Sequence, residues 1–489
     1  MTEVQKAARA SGHRDMTVGP IGRTLLAFAL PTLASSILQS LNGSINAIWI
    51  GRFLGEEALA STVTGNMLMF LMIAFVFGFA MAATVLVGQA FGAGNVDQAR
   101  RVIGTAVGSI IPLAILISVL GWLYAPWLID VLALAPQAAP LALAYLRVIF
   151  LAIPPMMLLG LLIMGIRGAG DAMTPLWFMI LAVFLDAGLN PVFILGLGPM
   201  PALGIAGSAL ATVIANLVTL ASFLLYSYAR DVPLRLRGRE LLYLIPDPAL
   251  LRAMVTKGVP MGLQVIVVSS AALATMGLVN REGVDTAAAF GAAMQLWNFV
   301  QMPAMALAAA VSAMAAQNIG AGKWDRVSAA TRAGIAQNFL ITGALVLLIA
   351  LFDRPLLALF LGGNSPALPI AEHIQLLASW SFLLLGVTMI LFGTMRSNGA
   401  VIGPLVILFI GLYPFRLGFA VGAYSWLGAD ALWLSFPVGS LANVVLAIAF
   451  YLHGGWRRAR MMPTPISVDE AIEEAEGLAE PGGRINPAG

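Results

Sequence analysis

The chain contains no cysteine, which excludes disulfides, thiolate metal sites and a cysteine nucleophile. Charge is scarce as well: Asp, Glu, Lys and Arg together make up 10% of 489 residues. A solvated surface uses far more than that. The histidines His13, His373 and His453 lie in the N-terminal segment or near predicted helix ends, too scattered for a metal cluster. No P-loop pattern occurs, which argues against ATP drive within this chain. No short apolar region precedes the first long apolar run, so a cleavable signal peptide is not expected. Alternating ten-residue segments are missing too, which argues against an outer-membrane barrel.

What is present is apolar. Hydrophobic residues make up 60% of the chain, and the mean hydropathy is +0.92. A helix needs roughly 20 apolar residues to cross a bilayer. The sequence offers twelve such runs, near 24–50, 62–90, 102–129, 139–166, 173–197, 204–228, 250–280, 286–318, 327–352, 374–396, 401–424 and 429–453. The expected fold is an all-α polytopic membrane protein. Lys and Arg set its orientation. With the N-terminus inside, Arg52, Arg147, Arg281 and Arg354 fall outside, Arg416 falls within a span, and the other basic residues fall inside. Both termini are therefore expected in the cytoplasm, with the chain in the plasma (inner) membrane. The pI of 9.3 follows this topology and does not indicate nucleic acid.

An internal repeat divides the chain. Gln89-Ala-Phe-Gly-Ala-Gly94 returns as Gln317-Asn-Ile-Gly-Ala-Gly322, 228 residues on (89 to 317). Gly55-Glu-Glu-Ala-Leu-Ala60 returns loosely as Gly283-Val-Asp-Thr-Ala-Ala288 at the same spacing, and Arg167-Gly-Ala-Gly170 as Arg396-Ser-Asn-Gly399. The expected layout is a cytoplasmic segment 1–23, a first lobe 24–228, a linker 229–249, a second lobe 250–453 and a cytoplasmic tail 454–489. Each lobe holds six helices. Six is even, so the lobes enter the membrane from the same side and form a parallel repeat, an arrangement used by transporters. The linker carries Arg230, Arg235, Arg237 and Arg239 and reads as a segment lying against anionic headgroups. The acidic tail, with Asp469, Glu470, Glu473, Glu474, Glu476 and Glu480, reads as disordered, with room for a short helix near 467–479.

Asp186 stands near the middle of the fifth run. An acid there is costly, which makes it a functional-site candidate. Asn190 is four residues on, hence on the same helix face, and Pro191 removes a backbone donor. Such a group could hold a proton or a sodium ion; the plainer alternative is an Asp that joins helices by hydrogen bonds. Asn42 and Asn46, four apart on the first span, are candidates to face it. Ser208 and Thr212 on the sixth could complete a polar shell, or bond their own backbone. Arg416 falls opposite position 187 when 229 is subtracted, nearly the repeat partner of Asp186, with a structural or a functional role open to it. Met261, Met294, Met302, Met305, Met314 and Trp297 suit apolar ligands or simple packing.

In combination, several motifs resemble the multidrug and toxic compound extrusion (MATE) transporters. They are Gly51-Arg52-Phe53-Leu54-Gly55, Gln89-Ala-Phe-Gly-Ala-Gly94, Gly165-Ile-Arg-Gly-Ala-Gly-Asp171, Leu189-Asn-Pro191, Leu203-Gly-Ile-Ala-Gly-Ser-Ala-Leu-Ala-Thr212, Val259-Pro-Met-Gly-Leu263 and Gln317-Asn-Ile-Gly-Ala-Gly322. The resemblance covers about residues 20–455. It implies twelve helices in a V-shaped pair of lobes and export of organic, often cationic and amphipathic compounds against inward H⁺ or Na⁺. Three departures stand out. Asn46 replaces an acid often found in the first helix, and the fifth helix has Asp then Asn instead of Asn then Asp. Val265–Ser270 and Leu383–Phe392 lack the acids of the sodium-coupled norfloxacin exporters. These departures place coupling in the first lobe and lean toward the DNA-damage-inducible (DinF-like) branch.

The expected function is secondary antiport of small organic compounds, by a monomer among membrane lipids, with no cofactor beyond the coupling ion. The alternative is a flippase for lipid-linked precursors, of similar build. An intramembrane enzyme is disfavoured, because aspartyl chemistry wants paired acids and the spans supply one.

Overall fold

A computed structural model describes residues 15–131, 139–197 and 201–462. The acidic tail beyond residue 462 and the first fourteen residues lie outside it. Among the described residues all regular structure is helical. The first lobe comprises α1 (Ile21–Leu54), α2 (Glu56–Gly92), α3 (Val96–Val131), α4 (Ala139–Gly168), α5 (Met173–Leu195) and α6 (Ile205–Ala229). The second comprises α7 (Pro248–Val279), α8 (Val284–Gly320), α9 (Trp324–Leu351), α10 (Ala367–Ala378 and Ser381–Arg396), α11 (Ile402–Gly422) and α12 (Asp430–His453). Ten of these are long and apolar enough to span alone, and the two halves of α10, bent by 47°, make an eleventh. The twelfth is α2, 37 residues long like its repeat partner α8. The chain is a multi-pass membrane protein of two six-helix halves.

The sequence spans and the helices agree with two differences. α4 is interrupted by a 3₁₀ turn at Phe150–Ala152, where Pro154 and Pro155 suit the first turn of a new helix and not the interior of an old one. α10 starts at Ala367, ahead of the expected 374, and bends at Ser379–Trp380. Gln375 beside the bend accepts a 2.5 Å hydrogen bond from the Trp297 indole, and the Ser381 hydroxyl bonds the Ala378 carbonyl. Polar side chains thus stabilise the break within apolar surroundings.

The repeat extends to backbone conformation. Gly94 and Gly322 close α2 and α8 at φ of 72° and 70°, a left-handed turn that glycine adopts without steric cost. One core is built on α2, α3 and α4 and takes in Leu250, Met254 and Met261 of α7 across the seam; another lies on α8, α10 and α12 around Trp297, Trp433 and Phe436. Trp297, Met261 and Met314 are buried, so packing accounts for these three, whereas Met294 and Met305 are exposed.

Helix α1 crosses the seam between lobes. Its start packs against α8, with Leu25, Phe28 and Ala29 beside Ala306, Leu307 and Ala310. Gln337 of α9 donates to the Gly22 carbonyl at 2.8 Å. The segment before α1 is tied to the same lobe. Met16 N donates to Gln317 Oε1 at 3.1 Å, Asn318 Nδ2 to the Met16 carbonyl at 3.1 Å, and Lys323 Nζ to the Thr17 carbonyl at 3.0 Å. Farther along, α1 lies on α5. Pro31 sits between the two regions.

The linker folds back onto the start of α3. Arg100 bonds Glu240 at 2.5 Å and the Pro233 carbonyl at 2.8 Å. Tyr243 donates to Asp97 at 2.7 Å, and Asp231 pairs with Arg235 and Arg237. Two of the four linker arginines therefore share one linker acid, Asp231, while Arg230 and Arg239 stay exposed.

Candidate functional site

Asp186 is 3% exposed, and Asn190 on the next turn is fully buried. Three helices converge on the carboxylate. Asn42 Nδ2 and Asn46 Nδ2 of α1 donate to Oδ2 at 2.9 and 2.8 Å. Thr212 Oγ1 of α6 donates to Oδ1 at 3.0 Å. Asn190 Nδ2 donates to the Asp186 carbonyl at 2.8 Å, to Asn46 Oδ1 at 3.0 Å and to Asp186 Oδ1 at 3.4 Å. A charge at mid-membrane costs about 2.5–3.5 kcal/mol on insertion scales. Each hydrogen bond to a charged group returns about 1.5–3 kcal/mol. Three short donors thus offset much of the cost of placing this acid at such depth.

The sequence candidates Asp186, Asn190, Asn42, Asn46 and Thr212 all meet in this cluster. Thr212 also bonds its own helix, through the Ser208 carbonyl at 3.3 Å. Ser208 itself is buried one turn earlier and joins the cluster by that carbonyl. The spacing of four on α1, α5 and α6 places each pair on a single face, and the faces point at one another. Tyr145 of α4, buried within the same lobe, was not singled out by any motif. A single tyrosine in an apolar run carries no spacing signal.

Two oxygens of the cluster, Asn42 Oδ1 and Asn190 Oδ1, are buried and have no hydrogen-bond partner. An amide offers donors on one side and an acceptor on the other. Turned over, the same amides would add oxygens to the carboxylate, the ligand type a hard cation takes. A proton needs only the carboxylate. No group of three His, Cys, Asp or Glu that could hold a metal ion occurs among the described residues.

Arg416 lies apart from this cluster. It sits in a π-helical segment of α11, Gly411–Leu417, with its guanidinium 3.6 Å from the centre of the Phe436 ring.

The two QxxGxG motifs, given no role by sequence reading, form a reciprocal clasp between lobes. Gln89 Nε2 donates to the Ser397 carbonyl at 2.6 Å, and Gln317 Nε2 donates to the Gly168 carbonyl at 3.1 Å. Gly92 and Gly320 make this approach possible. A Cβ on Gly92 would lie 1.8 Å from the Gln317 carbonyl oxygen, and one on Gly320 would lie 1.9 Å from that of Gln89. The sequence signal for the contact was the repeat itself: both halves of the clasp come from matched positions.

A two-lobed bundle with a buried acid in one lobe and an inter-lobe clasp is the build of a secondary transporter. The MatE family pattern matches residues 31–192 and again 260–421, and the chain belongs to that family. It is a transporter of small compounds and not an enzyme. The probable multidrug resistance protein YoeA of Bacillus subtilis is 33% identical over 433 residues, 88% of this chain and 93% of YoeA. The FAD transporter of Shewanella oneidensis is 27% identical over 433 residues, 88% of this chain and 94% of that protein. A crystal structure of MATE in the bent conformation superimposes with a TM-score of 0.81 at 21% identity, covering 94% of this chain and 98% of that one.

Proposed function

We propose that the chain is a multidrug-type exporter in the plasma (inner) membrane, acting as a monomer and exchanging organic compounds, cationic or amphipathic, for a coupling ion taken up at Asp186. The observation that carries this reading is a mid-membrane carboxylate held by donors from three helices. A buried group that changes charge alters the attraction among those helices, which is what a coupled carrier requires. The proton is the favoured ion, because it needs only the carboxylate and no further ligand. Sodium would recruit the orphan oxygens of Asn42 and Asn190. The overall test is the susceptibility profile of a host stripped of its own exporters. Raised resistance to a set of amphipathic compounds is expected, and an unchanged profile across cationic and neutral toxins would overturn the export reading.

Orientation follows the basic residues. Both termini and the clasped end face the cytoplasm. Reporter tags at residues 3 and 465 should be cytoplasmic, and one at Gly363 external. An external tag at residue 465 contradicts the twelve-span topology.

Asn46 supplies a donor to Asp186 and an acceptor to Asn190. Asn46→Leu should therefore depress transport strongly while membrane level and thermal stability stay near wild type. The lost bonds are worth about 1–3 kcal/mol, tolerable in a bundle this size. Unchanged transport in Asn46→Leu assigns this residue to helix packing alone.

A further inference from the structure

Arg416 is a cation within a membrane-spanning helix, and no carboxylate reaches it among the described residues. The acids of its lobe are engaged or placed elsewhere. Glu282 accepts from Tyr424, Glu372 pairs with Arg354, and Asp430 bonds His373. Asp285, Asp325 and Asp353 lie in the first turns of their helices. The polar contact Arg416 makes is a long one, Nη2 to Thr275 Oγ1 at 3.4 Å, and its Nε is buried with no partner. One face of the guanidinium rests on Phe436. Stacking on an aromatic ring offsets part of the cost of an arginine away from water, but leaves Nε without a partner and Nη2 with one long bond. A planar guanidinium edge whose N–H groups are this weakly engaged is the geometry that takes a carboxylate or a phosphate.

The location is equally informative. The two matched repeats, 31–192 and 260–421, are offset by 229 residues. On that offset Thr275 corresponds to Asn46, and Arg416 falls one residue from the counterpart of Asp186. Depth agrees: at about 1.5 Å per residue, Asp186 and Arg416 each lie about 20 Å along α5 and α11. The local backbone is specialised for this side chain. The π-helical turn at Gly411–Leu417 shifts the register around Pro414, a distortion common at functional positions. Gly439 of α12 leaves the room: a Cβ there would stand 2.7 Å from Arg416 Cβ.

We propose that Arg416, with Thr275 and the face of Phe436, forms an anion-recognition subsite in the second lobe, matched in position and opposite in charge to the Asp186 cluster. It takes the carboxylate or phosphate of an aromatic or amphipathic organic compound. The proposal rests on the transporter reading for its purpose and on equilibrium binding for its proof, so the two can fail separately.

The test uses the purified full-length protein in neutral detergent and a matched pair of probes, naphthoate and its uncharged primary amide. Wild type is expected to bind naphthoate at least tenfold more tightly than the amide. Arg416→Gln should erase that preference while leaving amide affinity unchanged, and Arg416→Lys should retain part of it. Asp186→Asn, expected to abolish coupled transport, should keep the full preference for naphthoate. Equal affinity of wild type for the two probes overturns the subsite. So does a parallel loss of both probes in Arg416→Gln, which would mark Arg416 as structural. Anionic lipid phosphorus that co-purifies with wild type and is absent from Arg416→Gln would assign the site to a headgroup and overturn the cargo assignment.

Discussion

Asp186→Asn should reduce coupled export to background while the protein inserts and folds as before. The hydrogen-bond geometry supports that separation. The asparagine oxygen can replace Oδ2 and accept from Asn42 and Asn46, and its amide nitrogen can donate to Thr212 Oγ1 in place of Oδ1. Volume and bonding are retained; the charge and the exchangeable proton are not. Proteoliposomes carrying either a pH gradient or a Na⁺ gradient read the difference. Export driven by the pH gradient without Na⁺, and lost in Asp186→Asn, is the expected result. Export under a Na⁺ gradient alone reassigns the ion, and full activity in the variant removes Asp186 from the mechanism.

The second large effect is expected at the clasp. Gly92→Val and Gly320→Val place carbons where backbone oxygens now stand, 1.8 and 1.9 Å from an ideal Cβ. Flexible side chains could yield to such an intrusion; carbonyls fixed in helices cannot without moving the helices. Each variant should hold the lobes apart at this end and cut export at least tenfold, even though Asp186 lies on another helix. Spin labels at Asn95 and Asp325, both exposed, should report a longer inter-lobe distance than in wild type. An unaltered distance together with normal export would show that the clasp does not gate transport.

Much of this architecture was legible in the residues. Charges in apolar runs are rare, so Asp186 and Arg416 announced themselves, and spacing of four put Asn42 with Asn46 and Asp186 with Asn190 on shared faces. The duplicated motifs gave the two halves, and the family match repeats at the same spacing. Other features leave a fainter trace, as with the clasp, where the repeat marks the glutamines but not their partners. The clasp joins side chains to backbone carbonyls more than 140 residues away, at Gly168 and Ser397, and every residue has a carbonyl. The stacking of Arg416 on Phe436 depends on a π-helical turn that hydrophobic periodicity does not encode. The linker arginines read as partners for lipid, but Asp231 and the start of α3 engage part of the linker first. Local charge counting cannot anticipate which acid folds back.

Helix α1 carries a mechanical consequence. Its first turns are fastened to α8 and α9 of the opposite lobe, and its later turns hang from the Asp186 carboxylate through Asn42 and Asn46. Between the two attachments, Pro31 interrupts the backbone bonding and provides a fulcrum. The helix therefore works as a lever. If the coupling ion is taken up at Asp186, as proposed, its arrival should slacken the grip on the far arm, and any rocking of the lobes should pull on the near arm. On that reading, ion occupancy and lobe angle would be two readings of one jointed rod, so load at either end would be felt at the other without any relay of small side-chain movements.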